Sequence, residues 1–199
     1  MARWAPATAE RLQYAAMELF SARGFEQVTA AQIAEAAGTT ERTFFRYYPD
    51  KRDVLFARQA AMVQAIADGV HHAPASATPL HLVAAAVRAG AAFFPEADRA
   101  GARARHEIIA GSPALLERAR HKSADIASRV AQALRERGYD DVTAELAAES
   151  TVSIFGLAFA RWLADATGRP LTAIADEIVL SFAGLSSATP LPQSGDVSH

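Results

Sequence analysis

The sequence predicts an all-α protein of about nine helices, in which a small N-terminal unit of three helices precedes a larger helical unit. Apolar residues recur three and four positions apart along nearly the whole chain, as they do on one face of a helix. No segment alternates apolar and polar residues as a half-buried strand would. With 199 residues, 51% of them hydrophobic, the chain is long enough to bury a sizeable core.

The first two helices are marked by an apolar face and a capping box. Residues 12–20 carry the helical face, and Gly24 ends it as a left-handed terminal residue. Thr29 begins the second helix, because its hydroxyl and the amide of Gln32 can satisfy each other's backbone N–H groups. Gly38 ends that helix after about two turns.

The third helix is short as well. Either Thr39 or Thr40 caps its start, and Pro49 brings it to an end. Asp50 can then cap a fourth helix, which the apolar spacing predicts as one continuous element over residues 51–71.

Five further helices follow, separated by turn residues. Ser112 and Pro113 form a strong start signal, a serine cap with proline in the first helical position. Gly138 and Gly168 mark the ends of the two helices after it. The predicted helices cover residues 80–94, 98–110, 113–137 and 143–167, with the last one starting at Pro170. A tail at 186–199, rich in proline and serine, is predicted to be disordered.

The composition excludes several classes of protein. The chain has no cysteine, which excludes disulfide bonds, thiolate catalysis and cysteine-ligated zinc. A formal net charge of −2 is not that of a protein that binds polyanions over its whole surface. We read no signal peptide at the start, and the longest apolar run, residues 151–160, is too short to span a bilayer. We therefore expect a cytoplasmic protein with no membrane partner, no metal and no cofactor.

Residues 29–51 place two short helices around a glycine-containing turn, which is the helix-turn-helix arrangement. The second helix of this arrangement can enter the major groove of DNA. Phe44 and Tyr48 lie four positions apart and are expected to pack inward. The opposite face presents polar, basic and aromatic side chains outward: Thr40, Arg42, Thr43, Arg46 and Tyr47.

Those five outward side chains suit contact with a DNA duplex. Arginine can bind guanine through two hydrogen bonds, threonine can contact several bases or a thymine methyl group, and tyrosine can reach a phosphate. A face that only meets water is the alternative interpretation, although two arginines and an exposed aromatic ring are unusual for it on so short a helix.

Four motifs follow one another over about residues 7–56: Gly-Phe at 24–25, Val-Thr at 28–29, Ile-Ala-Glu-Ala-Ala-Gly at 33–38, and Thr-Glu-Arg-Thr-Phe-Phe-Arg-Tyr-Tyr-Pro-Asp-Lys-Arg-Asp-Val-Leu at 40–55. In this order they resemble the DNA-binding domain of the TetR family of transcriptional regulators. The resemblance implies a DNA-binding domain at 1–56 and a ligand-binding and dimerisation domain at 57–185. It also implies a double-stranded DNA operator as partner.

The resemblance implies roles for individual residues of the first domain. The set that would hold phosphates consists of Thr29, Thr39, Thr40 and Lys51. The set that would read bases consists of Arg42 and Thr43, with Tyr47 on either a phosphate or a base. Phe45 stands where many members carry tyrosine, and without the hydroxyl it is limited to apolar contacts.

The predicted helix over residues 143–167 is apolar on more than one side, so it needs partners on several sides. One partner is the core of its own chain. The family implies that the other is the same pair of last helices in a second subunit, giving a homodimer. A two-fold dimer places its two recognition helices about one DNA turn apart on a palindromic operator.

A candidate pocket for a small-molecule effector lies on the inward faces of the C-terminal helices: Phe93, Phe94, His106, Ile109, Ser153, Phe155 and Trp162. Aromatic residues at helical spacing more often form core, and a lone histidine is more often a core residue than a ligand contact. Residues 107–113 and 161–165 resemble a TetR subgroup associated with acyl-CoA-like ligands. That resemblance implies a hydrophobic effector that releases a repressor from its operator.

Two other classes of function compete with gene regulation. Catalysis is disfavoured because the chain has no G-x-S-x-G elbow, no phosphate-binding glycine loop and no H-E-x-x-H motif. His71 and His72 are adjacent and point to different faces of a helix, so they form a poor metal pair. A helical protein-interaction module without DNA binding is the second alternative.

Overall fold

The computed structural model describes residues 5–187, and the side chains of residues 8–185. Within this range the chain forms nine α-helices and two short 3-10 helices, and no strand, which confirms the predicted fold class. The α-helices are α1 (Ala5–Arg23), α2 (Ala30–Ala36), α3 (Glu41–Tyr47), α4 (Gln59–His71), α5 (Pro79–Ala92), α6 (Arg99–Ala110), α7 (Pro113–Glu136), α8 (Asp141–Ala164) and α9 (Leu171–Ser187). The 3-10 helices are Lys51–Phe56 and Glu96–Asp98.

The tail predicted at 186–199 overlaps the end of α9, which continues to Ser187. The remainder of that tail lies outside the described residues.

The helix starts in the N-terminal unit follow the capping signals in the sequence. Thr29 caps α2 in a complete capping box with Gln32. Thr40, rather than Thr39, caps α3, and its hydroxyl accepts a hydrogen bond from the backbone N–H of Thr43. Gly38 adopts a φ of +66°, which lets the chain turn sharply between α2 and α3.

The fourth helix predicted over residues 51–71 is interrupted. Asp50 does cap a helix, but that helix is the 3-10 segment Lys51–Phe56, and α4 begins only at Gln59. In a continuous α-helix the carbonyl of Leu55 would accept from the N–H of Gln59. Here that carbonyl accepts a hydrogen bond from Arg105 Nε on α6, at 2.6 Å. A side chain from a distant helix therefore holds the chain at the break.

Ser112 precedes α7 as predicted, but its side chain does not cap the helix. The hydroxyl donates instead to the Glu26 carboxylate, at 3.0 Å, in the loop between α1 and α2. This buried serine thus joins the start of α7 to the N-terminal unit.

The helix predicted over residues 143–167 begins and ends earlier, because Asp140 caps α8 and Asp165 ends it. The Asp165 carboxylate binds the turn that leads to α9 and also Arg99 at the start of α6. Burial opposes ionisation of Asp165, but hydrogen bonds from Thr167, Arg169 and Arg99 outweigh it and hold the pKa of this carboxyl well below its ordinary value.

The buried apolar residues form two clusters. The first contains residues of α1, α2, α3 and the first 3-10 helix up to Phe56, together with Ile109 and Leu115 from α6 and α7. The second runs from Met62 on α4 to Ile178 on α9. The first core is therefore completed by two side chains from distant parts of the chain.

Helix α8 is central to the second cluster. Within residues 5–187 it is the one helix long and apolar enough, by length and composition, to cross a membrane. It packs against α5, α7 and α9, and Thr151, Ala158 and Trp162 on its inner face are fully buried. Its position in the core thus explains the apolar residues of this inner face.

Candidate nucleic-acid interface and ligand cavity

Two buried aromatic residues hold α3 against the N-terminal core. Phe44 and Tyr48 are both buried, and their ring centroids lie 5.6 Å apart. The Tyr48 hydroxyl accepts a hydrogen bond from Gln13 Nε2 at 2.9 Å and donates to the Ala9 carbonyl at 3.4 Å. Burial raises the pKa of Tyr48, partly offset by the bond from Gln13. As the sequence predicts, these side chains anchor α3 from behind.

The opposite face of α3 is open to solvent. Arg42 and Arg46 are exposed, while Thr43 and Tyr47 are half-buried. The guanidinium of Arg46 lies 5.3 Å from the centroid of the Tyr47 ring. Thr40 is exposed, and its hydroxyl lies 3.0 Å from that of Thr43. The five outward side chains predicted for this helix and its cap are all at least partly accessible.

Thr29 and Thr39 occupy the turns on either side of α2. The Thr29 hydroxyl accepts from the N–H of Gln32, so its own proton is available to an outside acceptor such as a phosphate. Thr39 is half-buried, and its N–H donates to the Ala34 carbonyl. Thr29 thus stands at the start of α2, and Thr39 directly precedes the cap of α3.

Lys51 is engaged within its own subunit. Its Nζ donates to the carbonyls of Phe25 and Val28, each at 2.8 Å, and lies 4.0 Å from the Phe25 ring centroid. Burial lowers the pKa of Lys51, and Glu26 and Asp50 oppose that shift. Two of its three ammonium protons thus hold the loop between α1 and α2, a structural role that the sequence does not reveal.

Most of the candidate pocket residues come together around Phe94. The Phe94 ring lies 5.6 Å from that of Phe93, 6.3 Å from that of Phe155 and 6.2 Å from that of Trp162. Trp162 is fully buried, and its indole N–H donates to Glu96. Phe155 and Trp162 form part of the second core cluster, as the alternative interpretation of aromatic spacing expects.

The other three candidates lie elsewhere. Ile109 is buried in the first core cluster, because this end of α6 packs against the N-terminal unit. Ser153 is exposed on the outer face of α8. His106 is exposed as well, with its ring 6.5 Å from that of Phe159. Periodicity marks such residues as helical but does not say which neighbour each face meets.

A cavity of about 780 Å³ opens between α1 on one side and α4 and α6 on the other. Of the seven candidates, Phe93 and Phe94 line it. Six of its other lining residues belong to α1, on the N-terminal unit: Glu10, Gln13, Tyr14, Met17, Glu18 and Ser21. The sequence pattern does not reveal this wall, although Tyr14 and Met17 are apolar residues outside the main apolar face of α1.

Two arginines on the far side of the cavity have different surroundings. Arg58 pairs with Asp98 at 3.1 Å and lies over the ring of Phe93. Arg105 is half-buried and donates through Nε to the Leu55 carbonyl, the one hydrogen-bond acceptor that the described residues offer it. Loss of hydration, and then the charge of Arg58, lower the pKa of Arg105.

The outer faces of α8 and α9 carry an apolar surface. Of the large apolar side chains exposed within the described range, five lie on these two helices: Val142, Leu146, Leu157, Leu180 and Leu185. On α8, exposed Ser153 and Gly156 lie between Leu146 and Leu157 and belong to the same face. Exposed apolar side chains grouped on two neighbouring helices are a candidate site of association.

A helix-turn-helix with an open basic helix, joined to a larger helical unit with a cavity between the two, defines a DNA-binding regulator with a ligand-binding domain. The profile described as "Bacterial regulatory proteins, tetR family" matches residues 14–57, and the one described as "MftR C-terminal domain" matches residues 77–185. The chain belongs to the TetR family of transcriptional regulators.

Individual relatives agree with this assignment. The chain is 28% identical over 153 residues to the transcriptional regulator TcmR of Streptomyces glaucescens, covering 74% of this chain and 68% of the relative. It is 38% identical over 66 residues to the putative mycofactocin biosynthesis transcriptional regulator MftR of Mycobacterium tuberculosis, about a third of each chain. Among solved structures, the repressor FadR of Thermus thermophilus with lauroyl-CoA aligns with a TM-score of 0.54, 26% identity, and coverage of 94% and 100%.

The family does not point to catalysis, since these matches are to regulators. Within the described range, no group of three or more His, Asp or Glu side chains is placed to hold a metal ion.

Proposed function

We propose that this protein is a cytoplasmic homodimeric repressor, which binds a palindromic operator through the open face of α3 and leaves it when a small, mostly apolar effector binds. The observation that carries the proposal is the accessible set of Arg42, Arg46 and Tyr47, fixed from behind by Phe44 and Tyr48. Because side chains on a rigid helix are presented in a fixed geometry, they can read the edges of bases.

The proposed contacts divide into two kinds. Thr29, Thr39 and Thr40 lie in the turns that flank α2 and α3, where their hydroxyl groups can bind phosphates. Arg42, Thr43, Arg46 and Tyr47 lie on α3 itself, where they can enter the groove. Lys51 is proposed to act indirectly, by fixing the loop that precedes Thr29.

A duplex selected from a random pool by the purified protein tests this proposal. If roughly six to ten phosphates are contacted, affinity for that duplex should fall by about 10³–10⁵ between about 50 and 200 mM salt. Arg42→Ala should change the preferred sequence as well as the affinity. A protein that enriches no sequence, or binds with no dependence on salt, would instead be a helical interaction module without DNA binding.

The dimer is proposed to form through α8 and α9. Leu146 and Leu157 on α8 and Leu180 on α9 are exposed in the single chain, and burying one such side chain contributes about 1.5–3 kcal/mol. The inner faces of both helices already belong to the core, so the outer faces are available for a second copy. A two-fold contact between equal faces also produces the paired recognition helices that a palindrome requires.

Light scattering after size exclusion tests the interface. The double variant Leu157→Glu and Leu180→Glu should elute as a folded monomer, because two charges would be buried on each side of the contact. Leu116→Glu is the matched control, since Leu116 is an exposed leucine on α7. A double variant that remains a dimer would exclude this face.

The effector is proposed to occupy the cavity that Phe93 and Phe94 line. Its volume of about 780 Å³ and its apolar residues suit a small hydrophobic molecule. The Thermus FadR structure holds lauroyl-CoA, which supports a ligand with a long apolar part. For such a ligand to release DNA, it must bind the DNA-free conformation more tightly than the DNA-bound one.

A further inference from the structure

The cavity lies between the two parts of the molecule rather than inside one of them. One wall is the face of α1 that carries Gln13, Tyr14 and Met17, and α1 belongs to the N-terminal core. The other wall is formed by α4, the end of α5 and α6. A ligand in this space contacts the DNA-binding unit directly.

The charged side chains on the wall formed by α4, α5 and α6 indicate which chemical group that ligand carries. Arg105 is half-buried, and among the described residues no carboxylate lies within ion-pairing distance of it. Arg58, the other guanidinium of this wall, is already paired with Asp98. Glu10 and Glu18 also line the cavity, but both are exposed and can be hydrated. Arg105 is therefore the charge in the cavity that lacks both full hydration and a counter-ion.

The rest of the lining is mainly apolar, with two methionines and two phenylalanines among the side chains that a ligand would contact: Met17, Met62, Phe93 and Phe94. Methionine adapts its shape to irregular apolar ligands. The terminal nitrogens of an arginine form a fork that matches a carboxylate, sulfonate or phosphate.

Helix α1, which forms the other wall of the cavity, is hydrogen-bonded to the end of α3. Gln13 lines the cavity, and its Nε2 donates to the Tyr48 hydroxyl at 2.9 Å. Tyr48 is the C-terminal cap of α3 and packs against Phe44. A ligand that draws the Gln13 amide towards itself removes a donor from the buried Tyr48 hydroxyl.

We propose that this cavity takes an apolar ligand with one anionic group, that Arg105 binds the anionic group, and that the ligand weakens DNA binding through Gln13 and Tyr48. This inference rests on the proposed function and specifies the ligand class and the coupling at the same site. Gln13 is a positioning residue in this scheme, because it acts on DNA through Tyr48 and not by contact.

The ligand class is tested with two fluorescent probes of the same skeleton. 1-Anilinonaphthalene-8-sulfonate carries one anionic group, and N-phenyl-1-naphthylamine lacks it. Arg105→Met should weaken the sulfonate roughly ten- to a hundredfold more than it weakens the neutral probe, as expected for loss of charge-assisted hydrogen bonds. Arg103→Met, two residues away on α6 and outside the cavity lining, is the matched control. Equal effects of Arg105→Met on both probes would overturn the anionic assignment.

A second variant tests the site itself without removing Arg105. Gly101 lines the cavity, and a Cβ built on it meets no atom within 4 Å. Gly101→Phe should therefore fold normally and place a ring in the cavity, so both probes should lose their binding. Sulfonate binding that survives this change would place the ligand elsewhere and refute the proposal.

The coupling is tested with the selected duplex in filter binding, with and without saturating sulfonate probe. Wild-type affinity for DNA should fall roughly two- to tenfold, the equivalent of one neutral hydrogen bond, and DNA should weaken the probe by the same factor. In Gln13→Met the ratio of the two DNA affinities should approach one. A ratio equal to that of the wild type would overturn the role of Gln13.

The outcomes separate this inference from the proposed function. A protein that selects no duplex refutes the proposed function. A protein that selects a duplex and binds the probe at Arg105, but shows no change in DNA affinity, refutes the coupling and leaves DNA binding by α3 standing.

Discussion

Replacing Lys51 with methionine separates a structural role from a DNA contact. The chain has two lysines, and the Nζ of this one donates to the carbonyls of Phe25 and Val28, each at 2.8 Å. Methionine keeps most of the aliphatic stem and removes the ammonium group. The two carbonyls, both in the loop between α1 and α2, then lose a charged donor.

The size of the effect follows from these two bonds. A hydrogen bond from a charged group contributes about 1.5–3 kcal/mol when it is buried. Because Lys51 is half-buried, water can replace part of that interaction, and we expect a loss of about 2–4 kcal/mol in the free energy of unfolding. For a chain of this length that corresponds to a fall in Tm of roughly 5–15 °C.

The assay combines thermal unfolding with DNA binding at several salt concentrations. Melts of wild type and Lys51→Met are compared at one protein concentration, since association shifts Tm. The slope of log affinity against log salt should be the same for both proteins, because the ammonium group is proposed to hold the loop and not a phosphate. Lys122→Met is the control, since Lys122 forms a surface pair with Asp125 on α7.

The opposite result would refute this reasoning. If Lys51→Met had the same Tm as the wild type, and its slope of log affinity against log salt were smaller by about 0.9, the side chain would be a phosphate contact. The two hydrogen bonds would then contribute nothing measurable to stability.

Three further substitutions give distinct outcomes. Arg42→Ala should relax preference at one base pair by about 1–3 kcal/mol in competition binding with single-base variants of the duplex, and a uniform loss on all of them would assign Arg42 to a phosphate. Gly156→Arg should leave the Tm of the monomer unchanged, because a Cβ there meets nothing within 4 Å. Light scattering should nevertheless show no dimer. A dimer that persists would exclude α8 from the dimer interface. Asp165→Asn should lower the Tm near neutral pH and make the Tm less dependent on pH. Because the pKa of Asp165 is lowered in the folded protein, the ionised carboxylate stabilises the fold above a pH of about 3.8, and the wild type loses that contribution as the pH falls further. If the Tm of the variant and of the wild type fell equally with pH, the ion network would contribute nothing.

The sequence predicts most of the fold because its helix ends are local signals. Thr29 with Gln32, and Gly38 after them, fix the boundaries of α2 through bonds between near neighbours. The break between the first 3-10 helix and α4 is different, because Arg105 holds the Leu55 carbonyl from 50 residues away. No local pattern contains that contact.

The candidate sites divide in the same way. The face of α3 is predictable, because Phe44 and Tyr48 at a spacing of four determine which side chains remain outside. The cavity is not, because its walls come from α1 and α6, whose contact depends on tertiary packing. Ser153 shows the same limit: its place on a helix is predictable, but whether that face meets a ligand, the core or solvent is not.

The contribution of Ile109 and Leu115 to the first core bears on how regulators of this kind are recombined. A chimera that joins residues 1–56 to an unrelated sensor would leave the space filled by these side chains empty. A graft that also carries the corner between α6 and α7, including the bond from Ser112 to Glu26, would preserve the packing. The unit that a chimera must carry is therefore made of two segments that are not adjacent in the sequence.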